Sequence, residues 1–169
     1  MRPDTVSNWL TRTASQAKEH AAAFGHLVHA LLALPEPLAG DALQQAARAQ
    51  RLHFGLSETE ATEAADLAER TAALPEIAAA RTADAVHREL PFTCRLDGRV
   101  VTGRIDLAYR TNGAWTVIDF KTARLADTAQ AASRYREQMD RYRAALAALT
   151  GEKVSAALCL VRTGELVAV

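Results

Sequence analysis

Asp97-Gly98 and Asn112-Gly113 leave the chain between Val86 and Lys121 little choice of fold. Each dipeptide readily takes positive φ at both central positions of a type I′ turn, the two-residue connection whose twist matches an antiparallel hairpin. The three segments they separate, Val86 to Leu96, Arg99 to Arg110 and Ala114 to Lys121, are rich in Val, Ile, Thr, Phe, Tyr and Trp. Together they predict an antiparallel three-strand meander. On either side the spacing is helical. Phe24, Leu27, Val28, Leu31 and Leu34 recur at helical intervals until Pro35 and Pro37, which stop that element. Asp41 to Phe54 reads as a second helix, and Ser57 with Glu60 forms a capping box opening a third, which runs to about Ala73. Pro75 starts a short turn. Asp127 to Leu149 is helical again, ended by Thr150-Gly151, and Lys153 to Val161 and Glu165 to Val169 read as closing strands. The order predicts an α+β fold, a mixed β-sheet flanked by helices.

A chain of 169 residues is long enough for one domain with its own core. Cys94 and Cys159 cannot build a disulfide framework, a structural zinc quartet or an iron–sulfur cluster. No apolar run approaches the roughly 18 residues of a membrane helix, so no membrane partner and a cytoplasmic location are expected. The formal net charge of zero conceals a gradient: residues 1–85 carry seven basic and eleven acidic side chains, residues 86–169 thirteen and nine. The basic half suits a polyanionic partner, whereas the overall neutrality argues against strong DNA binding by the chain alone. Only Lys18, Lys121 and Lys153 are lysines among the 20 cations, so each raises the question of why arginine was not used.

The second hairpin has a chemical consequence. With Asn112-Gly113 as its loop, Thr111 faces Ala114, Leu107 faces Ile118 and Asp106 faces Asp119. Directly opposed residues share a sheet face, with Cβ atoms about 4.5–5.5 Å apart. Alternation adds Lys121 and its cross-strand neighbour Arg104 to that face, and leaves Ile105, Leu107, Tyr109, Ile118 and Phe120 on an apolar one. Opposed like charges destabilise a sheet unless something neutralises them. Two resolutions are open at this point. Arg104 and Lys121 neutralise the aspartates in a solvated network, or a divalent cation sits between the carboxylates with Lys121 beside it.

Gly103-Arg104-Ile105-Asp106, the turn, and Val117-Ile118-Asp119-Phe120-Lys121-Thr122 resemble the GxxD…hhDxKT signature of the PD-(D/E)XK nuclease superfamily. The variant is the RecB-like one found at the C-terminus of RecB and AddA helicase–nuclease subunits. Glu89-Leu90-Pro91-Phe92 is similar to its "ElPF" strand, Tyr135, Gln138 and Tyr142 to its YxxQ…QxxxY helix, and Gly25 to His29 to its GxxxH helix. The pieces stand in family order.

This resemblance implies a restriction-endonuclease-like core and one nuclease domain over residues 1–169. Residues 1–85 would be the helical part bearing His29, and residues 86–169 the sheet core. It also implies roles. Asp106, Asp119 and Lys121 would be catalytic; His29, Asp106, Asp119 and the main-chain carbonyl of Phe120 would hold Mg²⁺ or Mn²⁺. Gln138, Tyr142, Tyr135 and Arg104 would contact DNA. His26, one turn before His29, competes for its role, although the pattern favours His29. Glu89 is expected near the cleft but not as a ligand. Arg134, Arg136, Arg141 and Arg143 either contact phosphates or form a solvated face with Glu137 and Asp140.

The implied activity is metal-dependent hydrolysis of DNA. An exonuclease-type trimming of single-stranded ends, delivered by a helicase subunit or fused helicase domain in recombination and repair, is expected. The chain would then be either an excised domain or a solitary nuclease beside a separate motor. It has no GxxxxGK[ST] loop, so no nucleoside triphosphate is expected to bind it. The alternative is a non-catalytic DNA-binding or subunit-contact module of the same fold.

Overall fold

A computed structural model describes residues 3–36, 38–123 and 127–169. Helix α1 spans Pro3–Leu32, α2 Gly40–Phe54 and α3 Glu58–Ala72, followed by the single turn α4, Pro75–Ala78, and a 3₁₀ turn, Ala79–Thr82. The sheet follows as β1, Ala85–Leu96, β2, Arg99–Thr111, and β3, Ala114–Lys121; α5, Thr128–Thr150, then leads to β4, Lys153–Leu160, and β5, Glu165–Ala168. Pro37, one of two prolines expected to stop the first helix, lies outside the described residues. The expected α+β class and mixed sheet are present.

Local chemistry accounts for most boundaries. The Ser57 hydroxyl accepts from the Glu60 N–H while the Glu60 carboxylate accepts from the Ser57 N–H, the predicted capping box. Asp127 caps α5 by accepting from the Gln130 N–H, and Gly151 closes it in the left-handed conformation. Both hairpin turns are of the primed kind, with φ of 48° and 79° at Asp97 and Gly98 and of 52° and 75° at Asn112 and Gly113.

The five strands lie in the order β1-β2-β3-β4-β5. All neighbours are antiparallel except β3 and β4, which are parallel and joined through α5. On one sheet face, Phe24, Leu27, Val28 and Leu31 of α1 and the alanine-rich side of α3 pack on Leu107, Tyr109, Ile118 and Phe120. On the other, Met139, Tyr142, Ala145 and Leu146 of α5 pack on Phe92, Ala108, Trp115, Val117 and Leu158. Burial of each large apolar side chain contributes about 1.5–3 kcal/mol, and Leu27, Ile118, Met139 and Leu158 are fully buried.

The β2–β3 register holds as expected from Thr111–Ala114 to Leu107–Ile118, and there the ladder stops. Asp106 and Asp119 are therefore not a paired position. One strand over, β1 and β2 pair at Arg88–Leu107 and again at Leu90–Ile105, but not at Glu89–Asp106. Glu89 has a φ of 49°, which a side chain other than glycine or asparagine rarely adopts. The residue numbering stays in step across the gap, so no residue is inserted, yet both strands exchange faces. Leu107 packs under α1 and α3, whereas Ile105 packs under α5 beside Phe92 and Met139. The expectation that Ile105 shares the face of Leu107 is thus corrected: strict alternation fails where one residue turns left-handed.

Candidate metal centre and active site

Asp119, Phe120 and Lys121 close β3, where Asp119 pairs with Leu158 and Lys121 with Leu160 of β4. Asp119 is 2 % exposed and, among the described residues, the one fully buried charged group. Such a group is costly without partners. Its Oδ1 accepts from Gln138 Nε2 at 3.0 Å, and Lys121 Nζ stands 2.6 Å from Oδ2. The lysine contact is an ion pair without regular hydrogen-bond angles, so Oδ2 accepts no hydrogen bond from the described residues. Burial and the charge of Asp106 push the Asp119 carboxyl up to about 6, with Lys121 and His29 pulling the other way.

Asp106 sits at the break in the ladder. Freed from strand pairing, its Oδ2 reaches across and accepts from the Phe120 N–H at 2.7 Å. Its Oδ1 lies 3.5 Å from His29 Nδ1, and Glu89 Oε1 lies 3.9 Å from the same nitrogen. Ligand atoms of His29, Glu89 and Asp106 all fall within 4.8 Å of one another. His29 Nε2 donates to the Phe120 carbonyl at 3.0 Å, so the carbonyl expected among the ligands is here engaged by the imidazole. That bond orients the ring as backbone carbonyls orient metal-ligating histidines elsewhere, leaving Nδ1 toward the carboxylates. Burial lowers the His29 pKa, but the Asp106 hydrogen bond and the charges of Asp106, Asp119 and Glu89 outweigh it and leave it raised.

The donor set, one imidazole nitrogen and two carboxylates beside an under-bonded third, fits a divalent cation. Glu89, expected near the cleft but not as a ligand, lies there and also turns its carboxylate into this cluster. Its signal was present in the strand motif preceding the hairpin, but the left-handed turn that swings it inward has no local sequence mark. Of the two histidines competing on α1, His26 is exposed and its ring centroid lies 6.4 Å from that of Phe54, so His29 alone reaches the cluster.

Two glycines allow these approaches. A Cβ on Gly25 would lie 2.8 Å from Thr122 Oγ1, so glycine lets α1 close on the end of β3 four residues before His29. A Cβ on Gly103 would lie 2.6 Å from Phe92 Cζ and 3.3 Å from Tyr142 Cε1. The Phe92 and Tyr142 rings meet edge to face there, centroids 5.7 Å apart.

From the other sheet face, α5 presents Tyr135, Gln138 and Tyr142 on one side, as their spacing predicts. Lys121 Nζ lies 4.4 Å from the Tyr135 ring centroid and donates to Gln138 Oε1 at 3.2 Å, while Gln138 Nε2 donates to Tyr142 Oη at 2.8 Å. Burial raises the pKa of the Tyr142 phenol, keeping it protonated. Arg104 does not join the aspartates: its side chain is 65 % exposed and its guanidinium donates to Glu89 at 3.4 Å. Of the α5 arginines, Arg141 pairs with Glu137 and Arg143 with Asp140, as a solvated face would, and Arg134 lies over the Tyr135 ring. No described helix is long and apolar enough to cross a membrane.

No curated protein matches the chain significantly. Among solved structures, protein VC1899 from Vibrio cholerae is similar at 16 % identity and a TM-score of 0.36, over 87 % of this chain and 43 % of that one. The chain thus spans less than half of that protein's length. The PD-(D/E)XK nuclease superfamily model, in contrast, matches residues 7–167, from α1 through β5 and every residue of the site. On that match the chain belongs to the PD-(D/E)XK nuclease superfamily.

Proposed function

We propose that this chain is a metal-dependent deoxyribonuclease that hydrolyses phosphodiester bonds. The observation that carries the reading is the convergence of His29, Glu89 and Asp106 ligand atoms within 4.8 Å, next to the Asp119–Lys121 pair. His29, Asp106, Asp119 and the Phe120 carbonyl are the residues to hold the cation, with Glu89 added to them. A carboxylate-rich set favours Mg²⁺ or Mn²⁺. Such a cation, when bound, lowers the pKa of water and neutralises charge on the phosphate.

The chain's own groups have distinct tasks. Lys121 offers a compact ammonium with three N–H donors; among the described residues Gln138 accepts from one and Asp119 holds the charge as an ion pair, so the ammonium keeps donors to orient the attacking water or to meet a phosphate oxygen. Asp106 orients His29 through Oδ1 while its Oδ2 is anchored on β3. Tyr135, Tyr142 and Arg104 stand around this centre and are the proposed contacts of the DNA strand. In this reading residues 1–169 act as one nuclease domain, residues 1–85 delivering His29 to a hairpin built within residues 86–169. The RecB-like string of motifs supports a finer assignment: exonuclease-type processing of single-stranded ends supplied by a helicase, in recombination or repair.

The test is cleavage of end-labelled single- and double-stranded DNA by the purified chain. Degradation is expected with Mg²⁺ or Mn²⁺ and is expected to stop with EDTA or with Asp119→Ala. Undiminished cleavage by Asp119→Ala would refute the site. A non-catalytic module of the same fold would show no cleavage and no rise in Tm with Mn²⁺, whereas metal binding to the folded state raises Tm by mass action.

A further inference from the structure

Gln138 is unusual in having its hydrogen-bond donors fully used inside the protein. A glutamine amide carries two N–H donors on nitrogen and one carbonyl acceptor. Here Nε2 donates to Asp119 Oδ1 at 3.0 Å and to Tyr142 Oη at 2.8 Å, while Oε1 accepts from Lys121 Nζ at 3.2 Å. The partners fix which end of the amide points where. An ammonium only donates, so it must face the carbonyl; an ionised carboxylate only accepts, so it must face the N–H groups. A phosphodiester oxygen is likewise only an acceptor, and Gln138 has no N–H left to give it.

The arrangement matters because of what it holds. Lys121 ends in a point charge on a flexible stem, which by itself fixes no direction for its donors. Around its Nζ stand Asp119 Oδ2 at 2.6 Å, Gln138 Oε1 at 3.2 Å and the Tyr135 ring at 4.4 Å. The same amide also ties down Asp119, so one side chain sets the acid and the cation relative to each other. It is itself anchored one helical turn from Tyr142, beside the fully buried Met139. We infer that Gln138 is a positioning residue that locks the Lys121 ammonium against Asp119, and not a contact to the substrate strand. This rests on the proposed reading of Asp119 and Lys121 as the reactive pair.

Two variants and two readouts test it. Gln138→Met keeps the length and removes every hydrogen bond; Gln138→Glu restores the acceptor for Lys121 without an N–H for Asp119. The first readout needs neither metal nor substrate: the ¹⁵Nζ resonances of the three lysines, assigned by Lys→Arg substitution. The Lys121 ammonium signal, slowed in proton exchange by its partners, is expected in the wild type, lost in Gln138→Met and recovered in Gln138→Glu. The second readout is steady-state DNA cleavage with Mn²⁺, which gives kcat and KM separately. For Gln138→Met, kcat should fall by about 100-fold, the scale of a misplaced reacting group, with KM for DNA unchanged within a few-fold. Gln138→Glu should regain part of that kcat.

A Lys121 signal that persists in Gln138→Met would overturn the inference. So would a raised KM at unchanged kcat, the mark of a strand contact, or a Gln138→Glu variant no better than Gln138→Met in both readouts. Should Lys121→Ala cleave DNA as well as the wild type, the reading of Lys121 as a reacting group fails, and the loss or persistence of the Lys121 resonance in Gln138→Met still reports on the amide.

Discussion

Helices α1 and α5 reach the same end of β3 from opposite faces of the sheet, and they deliver different chemistry. From one face α1 brings a metal-type donor, His29, to Asp106 and Glu89. From the other α5 brings no ligand; its Gln138 and Tyr135 instead surround the Lys121 ammonium. The strand between them faces both ways: the Phe120 backbone and Asp106 belong to the α1 side, the Asp119 and Lys121 side chains to the α5 side. On the proposed reading, such a division would let cation binding and the placement of the Lys121 ammonium be tuned on separate elements.

Substitutions on the two sides should therefore fail differently, and the largest effect is expected at the chemistry. Lys121→Ala should lower kcat by about 10²–10⁴-fold, the range for a lost proton-handling group, with Mn²⁺ affinity measured by calorimetry little changed. His29→Ala should instead weaken Mn²⁺ binding by at least about 10-fold, with activity partly restored at millimolar Mn²⁺. If neither variant is rescued by metal, the division collapses.

An intermediate effect is expected at the glycines. Gly103→Ala drives a Cβ into the Phe92 ring on the α5 side and should cost about 1–3 kcal/mol. In a chain of this size that lowers Tm by roughly 2–4 °C per kcal/mol. Gly25→Ala meets a single threonine hydroxyl on the α1 side, so its loss of Tm should be smaller, while its Mn²⁺ affinity falls because His29 is held off. Equal Tm losses without an affinity change would blur the contrast.

The smallest effect concerns pH. The Asp119 carboxyl and the His29 imidazole both hold protons more tightly folded than unfolded. The folded state therefore binds more protons, and stability from these groups falls as pH rises. For Asp119 it is complete below its ordinary value of 3.8 and lost as pH passes about 6; for His29 it is lost as pH rises above 6.5 through the raised value. Metal-free Tm should drop between pH 5 and 8, and less so in Asp119→Asn. Because protons and cation compete for the same groups, Mn²⁺ should raise Tm more at pH 8 than at pH 5.5. A pH-independent Mn²⁺ shift would contradict this placement of the carboxyl.

Much of this site was legible because its parts are local. The two turn dipeptides demand positive φ, and that demand alone set the strands and their register as far as Leu107 and Ile118. The spacing of Tyr135, Gln138 and Tyr142 placed them on one side of α5, and Ser57 with Glu60 fixed the start of α3. The two acidic residues driven toward one strand end left a solvated charge network and a bound cation both open, and the resemblance of the motifs favoured the cation.

What the chain could not announce is how its strands end their pairing. The expected Asp106–Asp119 opposition gives way to an Asp106 bond with the Phe120 backbone. Ile105 crosses to the other face, and Glu89 turns into the cluster at a φ of 49°. These outcomes rest on contacts between residues far apart in sequence, such as His29 with Phe120 across 91 positions. A turn or a cap is decided by the dihedral preferences of neighbouring residues, which are written in the residues themselves. The exchange of faces is decided by where two helices can bury their apolar sides on one twisted sheet, a balance that exists only once the whole core has assembled.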